Sequence, residues 1–199
     1  MGYRSAMARS KEFDPDLALR RALDLFWERG YEATSMADLV EHLGIARASI
    51  YATFGGKHEL YLKALERYLG DTDPKVAEAL SQPGPVLPAV RTLIERYAEE
   101  SARDQARRGC LVVNTAVELA ARDAAAARLV EASWSFLEAS LTSALTRARA
   151  QGELPPDKDP RSLARLLLVL FQGMRVLGRA PADEGRLRDA TREALALFD

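Results

Sequence analysis

The sequence predicts an all-α protein, with a small N-terminal unit of short helices followed by a larger helical bundle. Three observations carry that reading. Apolar residues recur at the 3.6-residue helical period along almost the whole chain. β-Branched residues never gather into alternating runs, and residues that start and stop helices recur at helical intervals.

Asp14 and Pro15 open the first helix, an acceptor side chain followed by a residue whose missing N–H costs nothing there. Ala18, Ala22, Leu25 and Phe26 line its inner face, with Leu19, Leu23 and Trp27 beside them, and Gly30 ends it. Ser35 to Asp38 read as a capping box for a short helix through Leu39, Val40 and Leu43, and Gly44 supplies a sharp turn. A third short helix covers roughly residues 47–53. Gly55 and Gly56 break it, and a fourth begins near Lys57 with Leu60, Leu62, Leu65 and Leu69 as its apolar positions.

The stretch GDTDPKVAEALSQPGPVLP, residues 70–88, is rich in helix breakers and is expected to be mostly loop. Longer helices follow over about 86–103, 111–121 and 124–150, the last capped by Asp123 and stopped by Gly152. After the linker ELPPDKDP, Asp159 and Pro160 repeat the start signal for a helix to about 177, and a final helix is expected over 183–198. Residues 1–6 precede a second methionine, Met7, and are set aside as an appended or upstream extension.

Composition narrows the function. The 199 residues hold 28 Lys and Arg against 29 Asp and Glu, a formal charge of -1, so any contact with nucleic acid must come from a local patch. One cysteine, Cys110, rules out an internal disulfide and suits a reducing cytoplasm. The longest apolar run, residues 166–171, is far short of the ~20 residues of a membrane span, and the N-terminus lacks a signal-peptide core. A cytoplasmic protein with no membrane partner, no cofactor and no metal is expected.

The local patch is GIARASIYATFGGK, residues 44–57. It contains Arg47 and Lys57 but no carboxylate, with Glu41 and Glu59 the nearest. Two short helices joined through Gly44, with a third packed across them, match a helix-turn-helix. In that motif the N-terminal residues of the second helix meet base edges in the major groove, here Arg47, Ala48 and Ser49. A bidentate arginine–guanine pair gives ~1–3 kcal/mol of discrimination. Tyr51 can reach a phosphate, and Lys57 opens a helix whose dipole already favours an anion. Thr34 and Ser35, ahead of the preceding helix, offer a similar site. Ile50 and Phe54 should be core.

On pattern alone, a glycine turn and two cations also suit an ordinary solvated surface. An all-α enzyme and a protein-interaction adaptor using residues 163–177 are the rivals. Against an enzyme, His42 and His58 both fall in the helix-turn-helix region, and the chain has no nucleophile elbow, phosphate loop or metal-ligand spacing.

The stretch ALDLFWERGYEATSMADLVEHLGIARASIYATFGGKHELYLKAL resembles the N-terminal domain of the TetR/AcrR (tetracycline-repressor) family of bacterial transcriptional regulators, from about residue 13 to 65. The resemblance implies a DNA-binding domain over 8–65 and a ligand-binding and dimerisation domain over 66–199. It implies phosphate contacts at Thr34, Tyr51 and Lys57, and base or groove contacts around Arg47, Ser49 and Thr53. Three positions depart from the family pattern. Ala46 replaces a capping serine or threonine at a cost of ~1 kcal/mol, Gly56 stands where a capping side chain is common, and Ala52 thins the reading surface.

The resemblance also implies a homodimer. The helix over 163–177 is apolar on too many sides for a single stripe. Leu163, Leu167, Leu170, Phe171 and Met174, with Leu187, Thr191, Ala194 and Phe198 on the last helix, are the expected interface. Gly173 and Gly178 would allow close approach. RRGCLVVNTAVELA, residues 107–120, is similar to a GCLxxN stretch of one branch of the family, in some members of which a cysteine senses oxidants or electrophiles. Arg107, Arg108 and a helix start would favour the Cys110 thiolate. A small-molecule pocket could use Tyr97, Asn114, Glu118, Trp134 and Phe136. The expected function is therefore a repressor of a palindromic double-stranded DNA operator, released by a small-molecule or thiol-reactive effector.

Overall fold

The computed structural model describes residues 13–180 and 184–198. Residues 1–12, 181–183 and 199, which include the extension before Met7 and the expected helix start at Asp183, lie outside the described residues. All regular structure among the described residues is helical. The elements are α1 (Pro15–Arg29), α2 (Met36–Leu43), α3 (Arg47–Phe54), α4 (Lys57–Ser81), α5 (Leu87–Arg103), α6 (Leu111–Glu118), α7 (Ala124–Ala150), α8 (Pro160–Gly178) and α9 (Glu184–Ala196).

The start signals act as expected. Asp14 accepts from the N–H groups of Asp16 and Leu17, Asp123 from Ala125 and Ala126, and Asp159 from Ser162. Each satisfies amides that the first turn of a helix leaves open. α5 has no such local cap. Its opening amides, Val86 and Leu87, are instead held at 2.9 and 3.0 Å by the carboxylate of Glu153, from the segment between α7 and α8.

The expected loop over 70–81 is helix. α4 continues through Gly70 and Pro74 to Ser81, although Pro74 removes one intrahelical bond. Tertiary packing overrides the local signal, because α4 feeds two separate hydrophobic cores. Leu60, Tyr61, Ala64, Leu65 and Tyr68 are buried with α1–α3 in a first core, and Val76 and Leu80 join a second core with α5, α8 and α9. The Gly70–Pro74 stretch lies between the two contributions. α7 straddles them in the same way, with Ala126 and Val130 in the first core and Leu137, Leu141 and Leu145 in the second. α6 lies with the first core through Leu111 and Val112, and it ends at Glu118, three residues before the expected stop.

α8 and α9 use their apolar faces differently from the expectation. Leu163, Leu167, Phe171 and Met174 of α8, and Leu187, Ala194 and Phe198 of the C-terminal segment, are buried in this chain's own second core. Leu170 packs partly against that core, and the Thr191 hydroxyl turns back to the Leu187 carbonyl at 2.6 Å. The seven buried residues are therefore committed to this chain's own core, while Leu170 and Thr191 stay half-buried. The exposed apolar strip of α8 is Leu166, Val169 and Val176, at 48%, 69% and 51% exposure. Gly178 serves an intrachain approach, since a Cβ there would lie 2.8 Å from the Ser101 carbonyl oxygen, whereas Gly173 faces open space.

Candidate nucleic-acid interface and adjoining cavity

α2, α3 and the first turn of α4 build the patch. Ser35 and Asp38 form a complete capping box: the Asp38 N–H donates to Ser35 Oγ at 3.1 Å and the Ser35 N–H to Asp38 Oδ2 at 2.8 Å. The Ser35 hydroxyl also donates to Asp38, which holds that carboxyl below the usual carboxylate range. Gly44 ends α2 in the left-handed conformation. α3 follows with Ala46 at its N-cap and no side-chain cap, as its sequence predicts.

Two apolar residues anchor α3, Ile50 and Phe54, both buried. The remaining positions turn outward: Arg47, Ala48, Tyr51, Ala52 and Thr53 are exposed and Ser49 is half-buried. Gly56, the N-cap of α4, has φ 147°, and a Cβ there would lie 3.0 Å from a Glu59 carboxylate oxygen and 3.4 Å from the Tyr51 ring. The positive φ is what favours glycine here, because L side chains rarely adopt it. Lys57 places its ammonium 4.1 Å from the centre of the Tyr31 ring.

Of the expected phosphate contacts, one is excluded by burial and a second is engaged locally. Thr34 is fully buried, and its hydroxyl donates to the Gly30 carbonyl at 2.7 Å, so it braces the α1–α2 turn from inside. The Ser35 hydroxyl is engaged within its own capping box. Both residues carry the helix-start chemistry that sequence can show, but side-chain direction decides its use.

Behind this unit, at the seam between the two cores, lies a cavity of about 180 Å³. α4 contributes Tyr68 and Asp73, α5 Arg96, Tyr97 and Glu100, α7 Ser133, Trp134 and Phe136, and α8 Arg175; Cys110 joins them from the N-cap of α6. The Tyr68 hydroxyl donates to Cys110 Sγ at 3.6 Å, and burial pushes its own pKa well up, with neighbouring Cys110 adding to the shift. Tyr97 stacks on Phe171 with ring centres 4.1 Å apart, and burial pushes its pKa up to about 12. Burial opposes the Arg175 charge, but the paired Glu100 carboxylate overcomes it and raises the Arg175 pKa, so the guanidinium stays cationic. Burial raises the Asp73 pKa, against the nearby hydroxyls of Thr72 and Ser133. The indole Nε1–H of Trp134 is buried and has no hydrogen-bond partner among the described residues.

Asn114 and Glu118 do not line this cavity. The Asn114 amide is buried and donates to the Arg108 carbonyl at 2.9 Å, and Glu118 reaches the opposite way, to the α1–α2 turn. Arg108 lies over the Trp27 ring at 4.3 Å. The cations that share the cavity with Cys110 are instead Lys75, Arg96 and Arg175, the last 65 positions along the chain, a juxtaposition that no local pattern encodes. Among the described residues no group of three or more His, Cys, Asp or Glu could hold a metal ion, and no helix is long and apolar enough to cross a membrane.

Residues 18–64 match the family model described as bacterial regulatory proteins, tetR family, and residues 86–195 match the tetracyclin repressor-like C-terminal domain. The chain belongs to the TetR family. Among TetR-family relatives, the uncharacterized HTH-type transcriptional regulator YezE of Bacillus subtilis is 38% identical over 194 residues, 97% of this chain and 100% of that one. The HTH-type transcriptional repressor ComR of Escherichia coli is 31% identical over 196 residues, 98% of this chain and 93% of the relative. Among solved structures, a cysteine mutant of the TetR-family regulator CifR, complexed with 26-bp operator DNA, superposes with a TM-score of 0.83 at 30% identity, over 96% of this chain and 100% of that one. The fold and the helix-turn-helix assignment of this TetR-family chain stand on these matches together with its own geometry.

Proposed function

We propose that the protein is a homodimeric repressor that reads a palindromic operator with α3 and is released when an effector enters the cavity at Cys110. The observation that carries DNA reading is the outward face of α3: Arg47, Ala48, Tyr51 and Thr53 exposed together, with no carboxylate between Glu41 and Glu59. Arg47, Ala48, Ser49 and Thr53 meet base edges or the groove wall, and Tyr51 and Lys57 contact phosphate. Residues 8–65 act as the reading head and 66–199 as the sensing and pairing part. The protein works in the cytoplasm, where its DNA target is, and no catalytic step belongs to it.

Pairing through α8 is supported by the exposed Leu166, Val169 and Val176 strip, an apolar surface that water leaves unsatisfied. A two-fold dimer sets the two α3 helices at a fixed separation, and half-sites one or more DNA turns apart match it. The effector is small, to suit the cavity, with an acceptor for the Trp134 indole N–H and a centre that the Cys110 sulfur can reach. Its binding favours a state whose heads no longer fit the half-sites.

Operator affinity measured against salt on a duplex selected from random sequence tests the reading. Affinity falls steeply with salt. Arg47→Ala loses ~1–3 kcal/mol of discrimination between selected and scrambled duplex, while Lys57→Ala weakens both alike. No selectable duplex, or a binding curve indifferent to salt, contradicts the assignment.

A further inference from the structure

Glu118 is the last residue of α6, and both of its carboxylate oxygens leave the bundle. Oε2 accepts the Tyr31 N–H at 3.0 Å and Oε1 the Glu32 N–H at 2.8 Å. These amides belong to the turn between α1 and α2, immediately ahead of the helix-turn-helix. The carboxylate also lies against Gly30, where a Cβ would stand 3.0 Å from Oε2, so the approach depends on glycine. The turn itself is stiff: the Thr34 hydroxyl donates to the Gly30 carbonyl and the Thr34 N–H to the Tyr31 carbonyl at 3.2 Å.

The other end of α6 lies at the cavity. Cys110 is its N-cap, and the Gly109 carbonyl just before it accepts the Trp27 indole N–H at 3.0 Å. Between the two ends, Thr115 Oγ1 and the Tyr61 hydroxyl share a hydrogen bond of 2.8 Å, and Leu111 and Val112 are buried with the head. Eight helical residues span ~12 Å as one rigid piece. Apolar contacts along such a piece tolerate sliding, and the Trp27 and Tyr61 bonds come from side chains that can turn to follow it, whereas the two charge-assisted Glu118 bonds end on backbone donors and do not.

We infer that Glu118 is the positioning residue that couples the cavity to DNA reading: it grips the backbone of the α1–α2 turn, so that a shift of α6 at its Cys110 end reorients the head. The inference rests on the reading of the Cys110 cavity as the effector site. The grip on the head, however, is measurable without any effector.

Iodoacetamide is a suitable probe because Cys110 is the only cysteine, its thiolate displacing iodide to leave a single carbamidomethyl group in the cavity. Operator affinity is measured for wild type, Glu118→Ala and Glu118→Gln, each unmodified and alkylated. Hydrogen exchange at the Tyr31 and Glu32 amides is followed alongside. Alkylated wild type loses 5- to 150-fold in affinity, in the range of about 1–3 kcal/mol typical of coupled sites, while Glu118→Ala, folded and equally alkylated, changes by less than about twofold. A full wild-type response in Glu118→Ala overturns the inference.

If alkylation leaves wild-type affinity unchanged, the effector reading of Cys110 falls, and the unmodified proteins decide the role of Glu118. Faster exchange at both amides with operator affinity reduced about tenfold supports the grip; faster exchange with wild-type affinity overturns it. Glu118→Gln keeps the side-chain length and one acceptor, and so provides the same comparison if the alanine variant fails to fold.

Discussion

α3 and α6 are the same length, eight residues each, and neither N-cap residue, Ala46 or Cys110, caps its helix with a side-chain hydrogen bond. They are nevertheless embedded in opposite ways. α3 is held by Ile50 and Phe54 and turns its other positions toward solvent, whereas α6 has all of its first five residues, Leu111 to Thr115, buried. Helices this short are unstable alone, so each draws its stability from its surroundings. Two anchors keep a surface free to meet a partner. Immersion gives up that surface and leaves a helix that cannot move without its neighbours moving too.

The largest expected effect separates the two directly. Leu111→Ala, at a fully buried position shared with the head, lowers unfolding free energy by about 2–5 kcal/mol in urea titration, while Tyr51→Ala on the open face of α3 stays within about 0.5 kcal/mol. Equal losses would break the contrast. A smaller gain sharpens it on the α3 side. Ala46→Ser, at an N-cap whose backbone is already extended, adds the missing acceptor and raises stability by about 0.5–2 kcal/mol, visible as a higher Tm.

The smallest effect concerns the bond between α4 and α6. Burial raises the Tyr61 pKa to about 12, against the opposing influence of the Thr115 hydroxyl. The folded protein therefore holds the phenol proton more tightly than the unfolded chain, whose tyrosines ionise near pH 10. The stability this contributes is present below pH ~10 and drains away between there and ~12. Tyr61→Phe flattens that alkaline decline in a pH series of urea titrations, with Tyr97 accounting for a remainder. An unchanged decline would show that Tyr61 is not gripped by the fold.

Much of the architecture was legible in the sequence because caps and apolar periods are local. Asp14, Ser35, Asp123 and Asp159 announce their helices within four residues, and the outward face of α3 follows once Ile50 and Phe54 are assigned to the core. The failures share one cause, which is distance along the chain. Gly70 and Pro74 read as a break, yet the two cores on either side keep α4 helical. The breadth of apolar residues on α8 was evident, but only the packing of α5, α7 and α9 decides that Leu163, Leu167 and Phe171 face inward and Val169 outward. Glu118 looked like a pocket residue because its contact, the Tyr31 and Glu32 amides, lies 87 and 86 positions away. Thr34 has the right chemistry for a phosphate, but its side chain points inward.

Pro74 has a mechanical consequence. A proline inside a helix leaves the carbonyl four residues earlier, that of Gly70, without its usual intrahelical donor. The stiffness of α4 is therefore lowest between the stretch packed with α1–α3 and the stretch packed with α5 and α8. Bending at that turn costs α4 one intrahelical bond fewer than elsewhere, while α7, which also enters both cores, carries no proline. Compliance within this 25-residue rod is thus concentrated at one joint, placed where its packing passes from one core to the other.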